Sequence, residues 1–281
     1  MKKITLKSSA LLATLLITGS VLAPAASATT IGGDATTSAN LTLQAGTGPN
    51  TPLDPDDPDK EVDPIDDPVL GTPGNITVDY GSTFQFGTQF ISTQEETYYA
   101  HPDLVVDKLT STTKIVPLYS QVTDQSGDLA GWTLTLTQKD DLHLATGTST
   151  DPGYALTGAQ IKFTGGQIVG GNNLTTGTPT DVAVSGTLTP GVATQLVAAG
   201  ANEGAGTWLY KFGGVTDYDA SSVDTATPTD KSKIASQSPI SLTVPSGLIQ
   251  KAASYSTELY WSLQAVPGNT WTGNSGAITK P

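Results

Sequence analysis

The chain has 281 residues, only 14% of them charged, a formal net charge of −13 and no cysteine. A disulfide scaffold, a thiolate nucleophile and a cysteine zinc site are excluded, so the fold must rest on a hydrophobic core, which this length permits. All thirteen basic residues are lysines, set against 26 acids; that balance argues against nucleic acid as a partner and against attraction to an anionic membrane or wall polymer.

Residues 1–28 read as a secretory signal peptide. Lys2, Lys3 and Lys7 form a positive start, Ala10 to Ala23 an apolar run, and Ala26-Ser27-Ala28 a small-x-small cleavage site. The run is short for a bilayer span, and a cleavage site follows it. Its removal leaves ten lysines against 26 acids, a net charge of −16. Residues 29–74 are expected to be a disordered acidic linker rich in Pro and Thr. A brief alternation at Leu41 and Leu43 could form a stray strand. Between Asp54 and Asp67 there are eight acids and one lysine, with proline at 52, 55, 58, 64, 68 and 73. Proline favours extended backbone and like charges repel, so the stretch is expected to be a stiff spacer. The alternative, an acidic calcium loop, lacks the turn glycine and terminal glutamate of a calcium hand.

From Asn75 onward, short apolar alternations are separated by Gly, Pro, Asn and Asp. Strands are expected over Ile76–Tyr80, Phe84–Ile91, Ile115–Val122, Gly131–Gln138, Ala159–Phe163, Val182–Leu188, Thr207–Phe212, Ile240–Val244 and Glu258–Val266. Gln195–Ala199 is too short to assign to strand or helical turn. This pattern predicts an all-β, Ig-like β-sandwich over residues 75–281. Two strands stand out. In Gly131–Gln138, Trp132, Leu134 and Leu136 alternate with threonines. Downstream, Leu259, Trp261 and Leu263 alternate in the same way. Each strand therefore places Trp and Leu two residues apart on one face.

These segments resemble the WxL-domain cell-surface proteins of Gram-positive bacteria. The resemblance rests on Trp132-Thr133-Leu134, on Trp261-Ser262-Leu263 followed by Pro267, on the internal GAGTWLYKFG stretch from Gly204 to Gly213, and on Leu118 to Leu134 leading into the first motif. It covers about residues 70–281. It implies a secreted protein held non-covalently at the cell wall, with peptidoglycan as the wall ligand. It also implies a surface complex with a membrane-anchored WxL-interacting protein and other WxL surface proteins. Adhesion and polysaccharide handling are proposed roles in the family.

The tryptophans carry two readings. Buried, an indole fills a sandwich core; exposed, it stacks on a sugar ring. The alternation with leucine favours burial of Trp132 and Trp261, near each other. Trp208 and Trp271 are the candidates for exposure, with Tyr98 and Tyr99 as further surface aromatics. An enzyme finds little support. Asp140 and Asp141 are adjacent and look like a hairpin turn, whereas glycosidase carboxyls sit about 5–10 Å apart in a cleft. Neither histidine, His101 nor His143, lies near a nucleophile motif, no GxSxG is present, and no His cluster offers a metal site. The expectation is a non-catalytic protein with no cofactor and no metal.

Overall fold

The computed structural model describes residues 35–65 and 71–264. The signal peptide and its cleavage site, Asp66 and Asp67, and Trp271 lie outside the described residues. The chain divides into two units between Leu43 and Gln44. In the first, residues 35–43 form no strand, and Leu41 and Leu43 are exposed, so the stray strand expected there is not formed.

The second unit is all-β, with no α-helix among the described residues. The strands in chain order are β1 (Leu53–Asp54), β2 (Asp57–Pro64), β3 (Ile76–Gly81), β4 (Glu96–Tyr99), β5 (Asp103–Asp107) and β6 (Thr113–Val116). They continue with β7 (Tyr119–Asp124), β8 (Trp132–Gln138), β9 (His143–Leu144), β10 (Gln160–Phe163), β11 (Gly166–Gly170) and β12 (Asp181–Val182). The last six are β13 (Gly186–Leu188), β14 (Ala193–Ala199), β15 (Gly206–Phe212), β16 (Ile240–Val244), β17 (Tyr255–Ser256) and β18 (Leu259–Gln264). They form antiparallel sheets ordered β1-β2-β5-β6, β13-β10-β16-β4, β11-β15-β7-β3 and β12-β14-β8-β18, with β17-β9 as a small ribbon.

Three of the four-stranded sheets share the main core. It takes Trp132, Leu134 and Leu136 from β8, Ile161 and Phe163 from β10, Trp208, Tyr210 and Phe212 from β15, and Ile240, Leu242 and Val244 from β16. Each set follows the two-residue period of a strand. On β15 the intervening Leu209 points the other way, into a second cluster with Leu53, Val62, Tyr80, Val105, Val116 and Tyr119. The sheet β11-β15-β7-β3 is thus covered on both faces. That is why all six residues of β7 are buried, polar Ser120, Gln121 and Thr123 included.

The second cluster corrects the linker expectation. Residues 53–64 of the acidic, proline-rich stretch are not a free spacer but two strands that pair with each other and with β5. Three groups pin them. Gln121 accepts from the Leu53 N–H at 2.7 Å. The buried Asp79 carboxylate accepts from Asn50 N–H, Thr77 Oγ1, Gln121 Nε2 and Thr123 Oγ1 at 2.5–2.9 Å. The wholly buried Asp54 carboxylate pairs with Lys114 of β6. The surface acids are held as well: Asp56 by Lys211, Asp57 by Lys60, and Glu61 and Asp63 by Lys108. Like-charge repulsion loses here because lysines distant in sequence are folded beside the acids, a term that linear composition does not show.

Other expectations shift by smaller amounts. Ile115–Val122 is two strands, broken at Pro117, as is Val182–Leu188. Gln195–Ala199 belongs to strand β14. Phe84–Ile91 is not a strand; it runs as an irregular strap.

Candidate functional site

The two signature strands are neighbours. β8 lies between β14 and β18, with Trp261 opposite Leu136 and Leu263 opposite Leu134. Directly opposed residues share a face, so Trp132, Leu134, Trp261 and Leu263 all point to the same side of the sheet. The indoles are nevertheless at opposite ends of the pair, separated by four positions or about 13 Å along the ladder. They share a face but are not adjacent.

Trp132 is 0% exposed, and its Nε1–H donates to the Gly204 carbonyl at 2.9 Å. Trp208 is 1% exposed and donates to the Ala205 carbonyl at 3.0 Å. This corrects the expectation that Trp208 is exposed: on β15 it alternates inward with Tyr210 and Phe212. The Gly204-Ala205 segment leading into β15 therefore supplies acceptors for two buried indoles, which a buried Trp requires. It needs glycine to do so. Gly204 has φ +77°, and a Cβ there would lie 2.4 Å from Trp132 Nε1. In the sequence this stretch stands out only through its resemblance; its local signal is the pair of glycines before a strand.

Trp261 differs. It is half-buried, edge-on to Phe84 at 6.3 Å between ring centroids and tilted against Phe212 at 6.5 Å. It lies on Gly81, where a Cβ would stand 2.6 Å from the indole. Its other surroundings open into a groove of about 1530 Å³. The floor is the edge of the main core, with Leu142, Leu156, Ile161, Leu242 and Val244. One wall is the strap from Ser82 to Ile91, which carries Phe84, Phe86 and the exposed Phe90. The other runs from Gln250 to Trp261. The groove has room for a ligand larger than a typical small molecule.

The strap is tethered along its length. Ser82 Oγ donates to buried Asp103 and accepts from the Tyr119 N–H at 2.7 Å, and Tyr80 OH also donates to Asp103 at 2.9 Å. Burial, reinforced by the Asp103 charge, pushes the Tyr80 phenol well above its ordinary pKa. Further along, the Gln85 carbonyl accepts from His101 N–H at 2.7 Å and Thr88 N–H donates to the Ser232 carbonyl at 3.3 Å. At the end, Gln250 Nε2 donates to the Ser92 carbonyl at 3.1 Å, linking the two walls.

Of the other predicted aromatics, Tyr98 lines the groove, and burial pushes its phenol pKa up. Tyr99, next on the same strand, points the opposite way into a shallower cleft beside Pro239. The two do not form one patch. Charge in the groove is balanced, with Asp230 and Glu258 against Lys231 and Lys251. Glu258 is held by Lys139 at 2.6 Å and by the Tyr260 hydroxyl. Asp140 and Asp141 sit in the bend between β8 and β9, where Asp140 accepts from Thr257 Oγ1 at 3.0 Å. Among the described residues no group of three or more His, Asp or Glu side chains is placed to hold a metal ion.

A family model described as the WxL domain, surface cell wall-binding, matches residues 30–267. No curated protein and no solved structure matches the chain.

Proposed function

The chain belongs to the WxL family of surface cell wall-binding domains, and from that premise we propose that it is a secreted, non-catalytic protein held non-covalently to the peptidoglycan of a Gram-positive wall. There it works within a multi-protein surface complex whose other members are a membrane-anchored WxL-interacting protein and further WxL proteins. The observation that carries the reading is the use made of the signature residues. Trp132 and Trp208 are spent on the core, with their N–H groups satisfied inside it. Trp261 alone of the described tryptophans reaches an open surface. A family signature that builds the scaffold and leaves one aromatic end accessible suits a binding module. The acids that line that opening are held, Glu258 by Lys139 and Asp230 by the Ser232 N–H, rather than poised as an acid–base pair.

The test is sedimentation of the purified full chain with wall sacculi, with whole membranes as the comparison. Co-sedimentation with sacculi is expected, resisting roughly a few hundred millimolar NaCl because salt screens only a repulsion between acidic partners. Release by that salt would overturn this electrostatic reading and point to Lys231, Lys233 or Lys251 as the contact. A second reading, a polysaccharide-binding or adhesion module, is favoured by the aromatics along the groove.

A further inference from the structure

Among the described residues the second signature strand is an unpaired sheet edge, resting on Gly81 of β3 through Trp261, beside an apolar groove. β18 pairs with β8 on one side, and among the described residues no strand pairs with it on the other. The Lys139 N–H donates to the Glu258 carbonyl at 2.9 Å, and Leu259 stands opposite Gln138. Hydrogen-bonded and non-bonded pairs alternate in an antiparallel ladder. Tyr260, Ser262 and Gln264 therefore turn their backbone groups toward β8, while Leu259, Trp261 and Leu263 turn theirs outward. The partner strand agrees, since the Gln138 carbonyl points away from β18 and accepts from Gly191 N–H.

Exposed edges are usually blunted by charged side chains, proline, bulges or a covering segment. The six residues LYWSLQ of β18 contain no charge, proline or glycine, and their register with β8 runs without a bulge. The groove begins at this edge: Leu259, Tyr260 and Trp261 line it. A strand added here would place every second side chain on the face shared by Leu259 and Trp261, over the apolar floor.

We propose that the groove and the outer edge of β18 receive an extended segment of a partner protein, added as a further strand, with apolar residues at alternate positions and neutral or basic residues between them. The inference rests on the reading of this chain as part of a multi-protein surface complex. Backbone hydrogen bonds would supply affinity and the alternate side chains specificity. Two observations select this occupant over a second copy. The strap and the wall from Gln250 to Trp261, joined by the Gln250–Ser92 link, flank the groove on both sides, which suits one isolated extended segment rather than a strand already embedded in a neighbour's sheet. Two copies, each carrying −13, also repel, whereas a neutral or basic segment does not.

The probe is a labelled nonapeptide in which valine and threonine alternate between terminal lysines, added to the purified full chain. Two further versions are N-methylated at alternate backbone nitrogens, one in each register. Saturable binding is expected, lost at least tenfold in one methylated register and kept within twofold in the other. Amide exchange at Leu259, Trp261 and Leu263 should slow at least tenfold on binding. Leu259→Pro removes an outward donor at a position where an edge strand tolerates proline. It should weaken the peptide at least tenfold while the chain stays folded by near-ultraviolet circular dichroism. Absence of saturable binding by the unmethylated peptide to folded protein overturns the proposal. So does equal binding of all three peptides, or chitotetraose binding in the groove where the peptide does not. Protection of the β18 amides without peptide also overturns it, pointing to a second copy if it rises with protein concentration and to the same chain if it does not. Sedimentation with sacculi is read on the same samples. Wall binding that survives a negative peptide result leaves the proposed function standing while the strand site falls.

Discussion

Replacing Trp132 by alanine separates the two possible roles of the first signature motif. The indole is 0% exposed and packs in the main core, so its removal leaves a cavity, and such truncations cost about 3–5 kcal/mol. The Gly204 carbonyl, in a buried residue, loses the donor that stands 2.9 Å away, which adds about 1 kcal/mol or more. For a domain of this size each kcal/mol lowers the melting temperature by about 2–4 °C, so a fall of roughly 8–24 °C is expected. Trp132→Phe keeps most of the ring but not the donor, and should cost about 1–3 kcal/mol. Thermal unfolding by circular dichroism measures both, and sacculus sedimentation below the lowered melting temperature measures attachment. Folded Trp132→Ala should still bind walls. An unchanged melting temperature with binding abolished would refute it and make the indole a contact residue.

Gly204→Ala should destabilise by a comparable amount, because the residue has φ +77° and its Cβ would lie 2.4 Å from Trp132 Nε1 and 2.6 Å from Ala199 Cβ; urea unfolding would show it. Lys114→Met strips the wholly buried Asp54 of its cation. Lys114 is itself 34% exposed, so the loss should fall below the 3–5 kcal/mol of a fully buried pair, at about 2 kcal/mol, with protease cleavage near residues 53–64 as the local readout. Deleting the acidic stretch should lower stability rather than leave an intact domain, since it removes β1 and β2 from the second core; a melting temperature matching the parent chain would contradict this. Hydrogen bonds from Ser221 and Ser236 hold the Asp219 carboxyl below the ordinary carboxylate range. A depressed folded pKa contributes stability that is complete above about pH 4 and is lost as the pH falls further. Asp219→Asn should therefore lower stability at neutral pH and flatten the acid limb of a pH–melting profile.

Where a strand packs one face on the main core, the sequence shows it. β8, β10, β15, β16 and β18 fall within two residues of where alternation places them, because period-two burial writes itself directly into residue type. Two circumstances hide the rest. β7 is covered on both faces, so Ser120, Gln121 and Thr123 are buried polar residues and no alternation is visible. β1 and β2 are composed of residues that signal disorder, and they become strands only because Asp54, Asp56 and Glu61 meet lysines about 50 to 155 positions away. Composition measures local repulsion and cannot register distant compensation. At the site, the burial of Trp132 was legible from its threonine-leucine context. The burial of Trp208 was not, because Trp208, Leu209 and Tyr210 form an unbroken apolar run: Trp208 and Tyr210 enter the main core and Leu209 the second one, so no alternation marks the inner face. The groove was hidden for a related reason: the strap from Phe84 to Ile91 has strand-like alternation but spends it crossing the core mouth instead of joining a sheet.

The same Trp-x-Leu pattern performs two tasks here, and sheet position decides which. Trp132 sits on a central strand, between β14 and β18, where both ladder edges are used and the ring has only the core to enter. Trp261 sits one strand outward, where among the described residues the ladder is used on one side only. Its ring still turns toward Phe84 and Phe212, but its backbone faces away from β8 and its indole borders open space. Substitution by alanine should separate the two. At position 132 the loss belongs chiefly to folding. At position 261 the ring is half-exposed, so less apolar area is lost from the core, and the loss should fall more heavily on whatever occupies the groove. A motif that repeats across adjacent strands thus gives one copy to the scaffold and leaves the other bordering the groove.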